Sequence, residues 1–285
     1  MDTFLTEVSH RRGSVMWSRS CRKTITAHAK PAIAGAGHIG RLLRRAYRML
    51  KLPVDDYFTA LTACLTRFNV LHVLSIAAAF AVAWWVYVPI HELLHAYGCL
   101  LTGGEVTRLE IDPLYGAALL QQIFPFVAVG SSYAGQLTGF DTHNNDLTYL
   151  ATDFLPFTLT ILIGIPLLRW VATDRQNPLR GCIALGAAIP VAYAPFISIP
   201  GDYYEMGSIL VSRLVALWSP SLPLARWRSD DLFKLVGELF FSDAGASVGD
   251  AAGVLASSLV GIVLAFVTYW IGAQFARLVV RDQSR

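Results

Sequence analysis

His91-Glu92-Leu93-Leu94-His95 sets two imidazoles four residues apart, with a carboxylate directly after the first. On a helix, positions i and i+4 share a face, so both rings can reach one metal ion, and zinc suits such a pair. Glu92 can reach a metal-bound water without being a ligand itself. Zinc lowers the pKa of that water to about 7, and a carboxylate then takes its proton as the water attacks a carbonyl. The spacing therefore points to metal-assisted hydrolysis, with His91 and His95 as ligands and Glu92 as acid–base. Two core histidines beside a buried acid are the plainer alternative, but an acid between two histidines inside a membrane is costly unless it is bound.

Two histidines leave a zinc under-coordinated, and catalytic sites commonly add a third protein ligand plus water. Asp202 is the first candidate, at the mouth of an apolar helix in Pro-Gly-Asp-Tyr-Tyr-Glu-Met-Gly. Asp202 with Glu205 three residues on is also a helix-capping pattern. Glu205 is the second candidate, and Asp153 and His143 follow.

The motif lies in an apolar run from Val70 to Leu101, long enough to cross a bilayer, which takes about 20 residues. Pro89, two residues before His91, removes a backbone donor and predicts a kink. After the run, Glu105 to Asp112 alternates with period two and reads as a short strand and turn. Ala117 to Val129 is too short and punctuated for a span and reads as a re-entrant segment or a loop buried against the bundle, and residues 131 to 146 read as an exposed loop. Further spans are expected over about Leu147 to Val171, Gly181 to Ile199 and Ala251 to Ala276, with a helix from Tyr203 to Trp218. The fold class is thus an all-α polytopic membrane protein, a bundle of about 4–6 transmembrane helices with a short β-hairpin or re-entrant segment after the first span. Three regions are expected: a basic, partly disordered arm over 1–52 ending in an amphipathic helix (Ile39 to Leu52), a membrane-embedded core over 53–218, and a polar connection with a last span over 219–285.

Composition agrees: of 285 residues, 54% are hydrophobic and 15% charged, where a soluble domain sits nearer a quarter charged. Basic residues crowd the first fifth of the chain, which suits a cytoplasmic, lipid-facing arm better than nucleic-acid binding, since no nucleic-acid motif accompanies them. Gly35-Ala36-Gly37-His38-Ile39-Gly40 matches G-x-G-x-x-G in letters, but no strand precedes it, so no nucleotide site is expected. Four scattered cysteines form no C-x-x-C pair and imply neither a disulfide framework nor a second metal site. His72 reads as a helix-buried or interfacial residue.

Taken together, the HELLH pentad in a span, the strand-like EVTRLEIDPLYGA after it and PGDYYEMG before a later apolar helix resemble the site-2 protease family of intramembrane zinc metalloproteases, over residues 70 to 218. The resemblance implies one zinc held by His91, His95 and Asp202, with Glu92 as the catalytic acid–base. It also implies a three-span core that cleaves a membrane-protein substrate segment, the strand after the motif pairing with unwound substrate. Asp202-Tyr203 replaces the family's usual Asp-Gly, and no stretch is available for the PDZ domain that many relatives carry. The expected partners are that substrate segment and the lipid bilayer, in a bacterial cytoplasmic membrane. The alternative is a metal-binding multi-pass protein with a transport or structural role. Counting positive charges places the motif on the extracytoplasmic half, whereas the resemblance implies a site nearer the cytoplasm.

Overall fold

The computed structural model describes residues 34–65, 69–173, 177–219, 224–242 and 245–280. The chain divides into a unit over 1–45 and a unit over 46–285. The disorder expected for the first residues lies outside the described ones, apart from the start of a helix.

That helix, α1 (Ala34–Cys64), carries Pro53 within it. In its part within the larger unit, Tyr47, Leu50, Val54 and Phe58 are exposed at helical spacing, beside Arg48 and Lys51. Apolar and basic side chains thus share the exposed surface of this helix. α2 (Val70–Leu101) is a single helix through Pro89, so the proline does not end it. Most of its apolar side chains, Val82, Trp85 and Ile90 among them, are exposed, which is compatible with a membrane-spanning helix.

The chain then builds a three-stranded sheet in the order β2-β1-β3. β1 (Glu105–Ile111) is the expected strand, with Leu109 and Ile111 turned inward. The turn after it is tied to α2 by the Trp85 indole N–H, which donates to the Leu114 carbonyl at 2.6 Å. The stretch expected to be re-entrant or a buried loop forms α3 (Ala117–Ile123) and β2 (Val127–Val129), and β2 pairs parallel to β1. β3 (Gly135–Asp141) pairs antiparallel to β1 and lies in what the sequence presents as an exposed loop. Its two glycines and weak alternation hide it until β1 supplies a partner. The sheet is therefore mixed rather than a hairpin, and β1 is its central strand. Leu109, Ile111, Val127 and Ala117 pack on Ala96 and Leu93 of α2.

α4 (Asp146–Phe154) continues through a 3-10 turn (Leu155–Phe157) and a π-helical segment (Thr160–Gly164) into α5 (Ile165–Thr173). α6 (Pro178–Ala192) is followed by the single turn α7 (Ala194–Ile197), where Pro195 lies in the first turn of the new helix. α8 (Asp202–Ala216) follows. The expected polar connection contains a helical element that its composition conceals, α9 (Leu232–Phe240), capped by Asp231. α10 (Val248–Val279) opens on a Ser247–Asp250 capping box.

The described residues are mostly helical, 76%, and among them three helices are long and apolar enough to cross a membrane: Val70–Leu101, Asp146–Thr173 and Val248–Val279. That is fewer than the expected four to six. α6 and α8 have 15 residues each, about 22 Å of helix against a hydrocarbon core of about 30 Å. Close helix crossings hold the bundle. A Cβ at Gly261 of α10 would lie 2.5 Å from the Tyr203 carbonyl oxygen of α8, the small-residue packing typical of membrane helices. Opposite, Arg169 of α5 grips Asp56 of α1 with two nitrogens at 2.9 and 3.2 Å and donates to the Ala273 carbonyl at 2.9 Å. Tyr269 of α10 donates to the same carboxylate at 3.1 Å.

Candidate metal centre

His91 and His95 lie on one face of α2, about 9–15 Å from its C-terminal end and beneath the sheet. Their Nε2 atoms stand 3.1 Å apart. Asp202, in the first turn of α8, brings one carboxylate oxygen to 3.5 Å from His91 Nε2 and the other to 3.6 Å from His95 Nε2. The ligand atoms of these three residues all lie within 4.8 Å of one another, and together they could hold a metal ion. A tetrahedral ion with bonds near 2.0 Å needs donors about 3.3 Å apart, so the separations fit.

The rings are aimed by their other nitrogens. His95 Nδ1 lies 2.9 Å from the Thr152 carbonyl oxygen of α4, which can only accept, so Nδ1 carries the proton and Nε2 the lone pair. His91 Nδ1 lies 2.7 Å from the Tyr87 hydroxyl, one helical turn earlier. Phe157 packs edge-on to His91 at 5.5 Å between ring centres, and Tyr203 packs against Phe157. Two buried imidazole nitrogens and a carboxylate converging at this distance form a donor set that could hold a cation.

The approach of α4 depends on Gly98. A Cβ there would lie 2.6 Å from the Ala151 carbonyl oxygen and 2.8 Å from Thr152 Cα. Glycine thus sets the helix separation that brings the Thr152 carbonyl to His95.

The capping alternative for Asp202 does not hold. The N-cap of α8 is Gly201, and no side chain caps it. Asp202 is free to face the histidines because its own position is already helical. Glu205, one turn on, is buried and accepts a hydrogen bond from the Tyr149 hydroxyl of α4. Asp153 is buried beside the same cavity. His143 stands at the far end of β3, exposed, 3.5 Å from Asp141 and 3.9 Å from Glu105, away from the centre.

Glu92 faces a cavity of about 500 Å³ that also exposes His91, His95 and Asp202. Gly135 of β3 packs directly on the Glu92 side chain, where a Cβ would overlap Cγ and lie 2.8 Å from Cδ. Gly135, Gln136 and Leu137 line the cavity, so the strand at the site is β3, an edge strand. The cavity's outer wall is Asp230 and Asp231, which accept hydrogen bonds at 3.0 Å from Gln136 and Tyr133.

Several of these partners are absent from the sequence reading. Tyr87 was within reach of it, being at i−4 from His91. Tyr149 and Thr152 stand at i and i+3 on α4, beside Asp153, which the sequence had already marked as a trailing ligand candidate. Gly135 and the Asp230–Asp231 wall carry no local signal.

No family model matches the chain, and neither a curated protein nor a solved structure matches it.

Proposed function

We propose that this protein is an intramembrane zinc metalloendopeptidase of the site-2 protease type, hydrolysing a peptide bond in a membrane-spanning substrate segment. The observation that carries this reading is the convergence of His91, His95 and Asp202 at one cavity wall, with Glu92 beside them. Bound there, zinc would supply a polarised water and an electrophilic centre for the carbonyl.

The chain's own residues do the rest. Tyr87 and the Thr152 carbonyl orient the two rings. Glu92, with no hydrogen-bond partner of its own among the described residues, is free to accept a proton at its carboxylate and return it to the departing amine. β3 offers an unpaired edge to an extended peptide, and strand addition is an effective way to hold one. The peptide-binding strand in this reading is β3 rather than β1, because β1 is already paired on both sides. α6 and α8 act as shorter embedded helices and complete a five-helix bundle around the site.

The test is cleavage of a fluorescent transmembrane peptide in liposomes. Wild-type protein cleaves it, and Glu92→Gln lowers the rate about 10²–10⁴-fold while metal content is unchanged. A wild-type protein that holds zinc and cleaves no such peptide would instead be a metal-binding membrane protein with a transport or structural role.

A further inference from the structure

The cavity beside the metal centre is more acidic than hydrolysis needs. Glu92, Asp153, Asp202, Glu205, Asp230 and Asp231 face it, and among the described residues no lysine or arginine does. Four of the six have roles or partners already: Asp202 as ligand, Glu92 as proton carrier, Asp230 as acceptor from Gln136, and Asp231 as cap of α9. Asp153 and Glu205 remain.

Asp153 is 3% exposed, and its Oδ2 has no hydrogen-bond partner among the described residues. Glu205 is 8% exposed, and only its Oε1 is engaged, by Tyr149. Arg228, a cation close enough to act on Glu205, is held by both oxygens of Asp146 at 2.9 and 3.1 Å. A buried carboxylate oxygen without a partner is costly, so a cation from outside the chain would find its site already built.

A second metal ion does not suit the pair. Among the described residues, His91, His95 and Asp202 are the group of three whose ligand atoms come together. A guanidinium carries five donors in a planar fork and can span two separate carboxylates, and an ammonium offers three.

We infer that Asp153 and Glu205 form a subsite for a basic side chain, arginine or lysine, of the bound peptide. The inference rests on the protease reading above. Glu205 lies one turn along α8 from Asp202, an axial step of about 4.5 Å. A strand advances about 3.3 Å per residue, so the basic residue sits about one to two positions from the bond that is cut. Basic residues are rare within membrane spans, and the subsite therefore selects one point along a substrate.

The experiment measures binding to zinc-loaded, full-length Glu92→Gln protein in detergent. The probes are a fluorescein-labelled peptide of leucine and glycine with one central arginine, and the same peptide with glutamine there. The arginine peptide binds about tenfold or more tightly, as charge-assisted hydrogen bonds to a buried carboxylate imply. Adding Asp153→Asn or Glu205→Gln reduces the preference to about twofold, with zinc content unchanged. Equal binding of the two peptides overturns the inference whether or not the variants fold. So does a preference that survives both substitutions, or binding of neither peptide. An arginine preference in a wild-type protein that cleaves neither peptide keeps the subsite and sinks the protease reading.

Discussion

The Thr152 carbonyl oxygen of α4 stands 2.9 Å from His95 Nδ1 of α2. That contact fixes the tautomer of a ring whose Nε2 faces His91 and Asp202, and makes the separation of two helices part of the candidate metal centre.

Metal content is the first consequence. Purified wild-type protein carries about one zinc per chain, and His95→Ala and Asp202→Ala each lose it. Elemental analysis of the three samples decides the matter. Zinc retained without Asp202 would shift the third ligand to Glu205 or Asp153.

Gly98→Ala tests the helix separation. Its new methyl meets backbone, which cannot swing away, so α2 and α4 must part. Zinc affinity falls about 10–100-fold, as loss of a ring-orienting partner typically costs, and stability drops by about 1–3 kcal/mol. Competition with a chromogenic chelator measures the first effect and thermal unfolding the second. Unchanged affinity would mean that the Thr152 contact does not aim the ring.

Gly135→Ala separates proton transfer from metal binding. The added methyl displaces Glu92 from its place against β3. The turnover number falls tenfold or more, on the order expected for a misplaced acid–base group, while zinc stoichiometry stays at that of the wild type. Loss of both together would argue for a general collapse of the site.

Arg169 and Asp56 form a largely buried bidentate pair that joins α5 to α1. Arg169→Met leaves the carboxylate with Tyr269 alone and destabilises the protein by about 3–5 kcal/mol. Arg169→Met with Asp56→Asn recovers much of that loss, because no charge is stranded. Melting midpoints in one detergent provide the comparison, and a double variant no better than the single refutes the account.

Asp231 lies outside the candidate spans and predicts a pH response. The Lys234 backbone N–H foremost, then the Tyr133 hydroxyl and the Phe233 N–H, hold its carboxylate below the usual range. A depressed folded value makes the contribution complete above the unfolded value, about 3.9, and lost as pH falls through the lower folded value. The melting gap between wild type and Asp231→Ala is therefore constant from about pH 7 to 5 and closes below about pH 4. A gap that widens on acidification would contradict it.

Local spacing alone determined the pair His91 and His95 with Glu92, the long apolar helices α2 and α10, and the strand β1. Each of these rests on contacts within a few residues: i to i+4 on a helix, period two on a strand, an unbroken apolar run. It also marked Asp202 as a candidate, but left it open between ligand and cap. Only the tertiary structure shows that Gly201 takes the cap and that Asp202 meets the two histidines, because both depend on how α8 meets α2. The same holds for β3, a glycine-bearing segment with no strand signal until β1 pairs with it, and for α6 and α8, too short to span alone. Thr152 lies 57 residues from His95, and a backbone carbonyl leaves no mark in a sequence. The approach that joins them is set by the absence of a side chain at Gly98, which has meaning only once two helices cross.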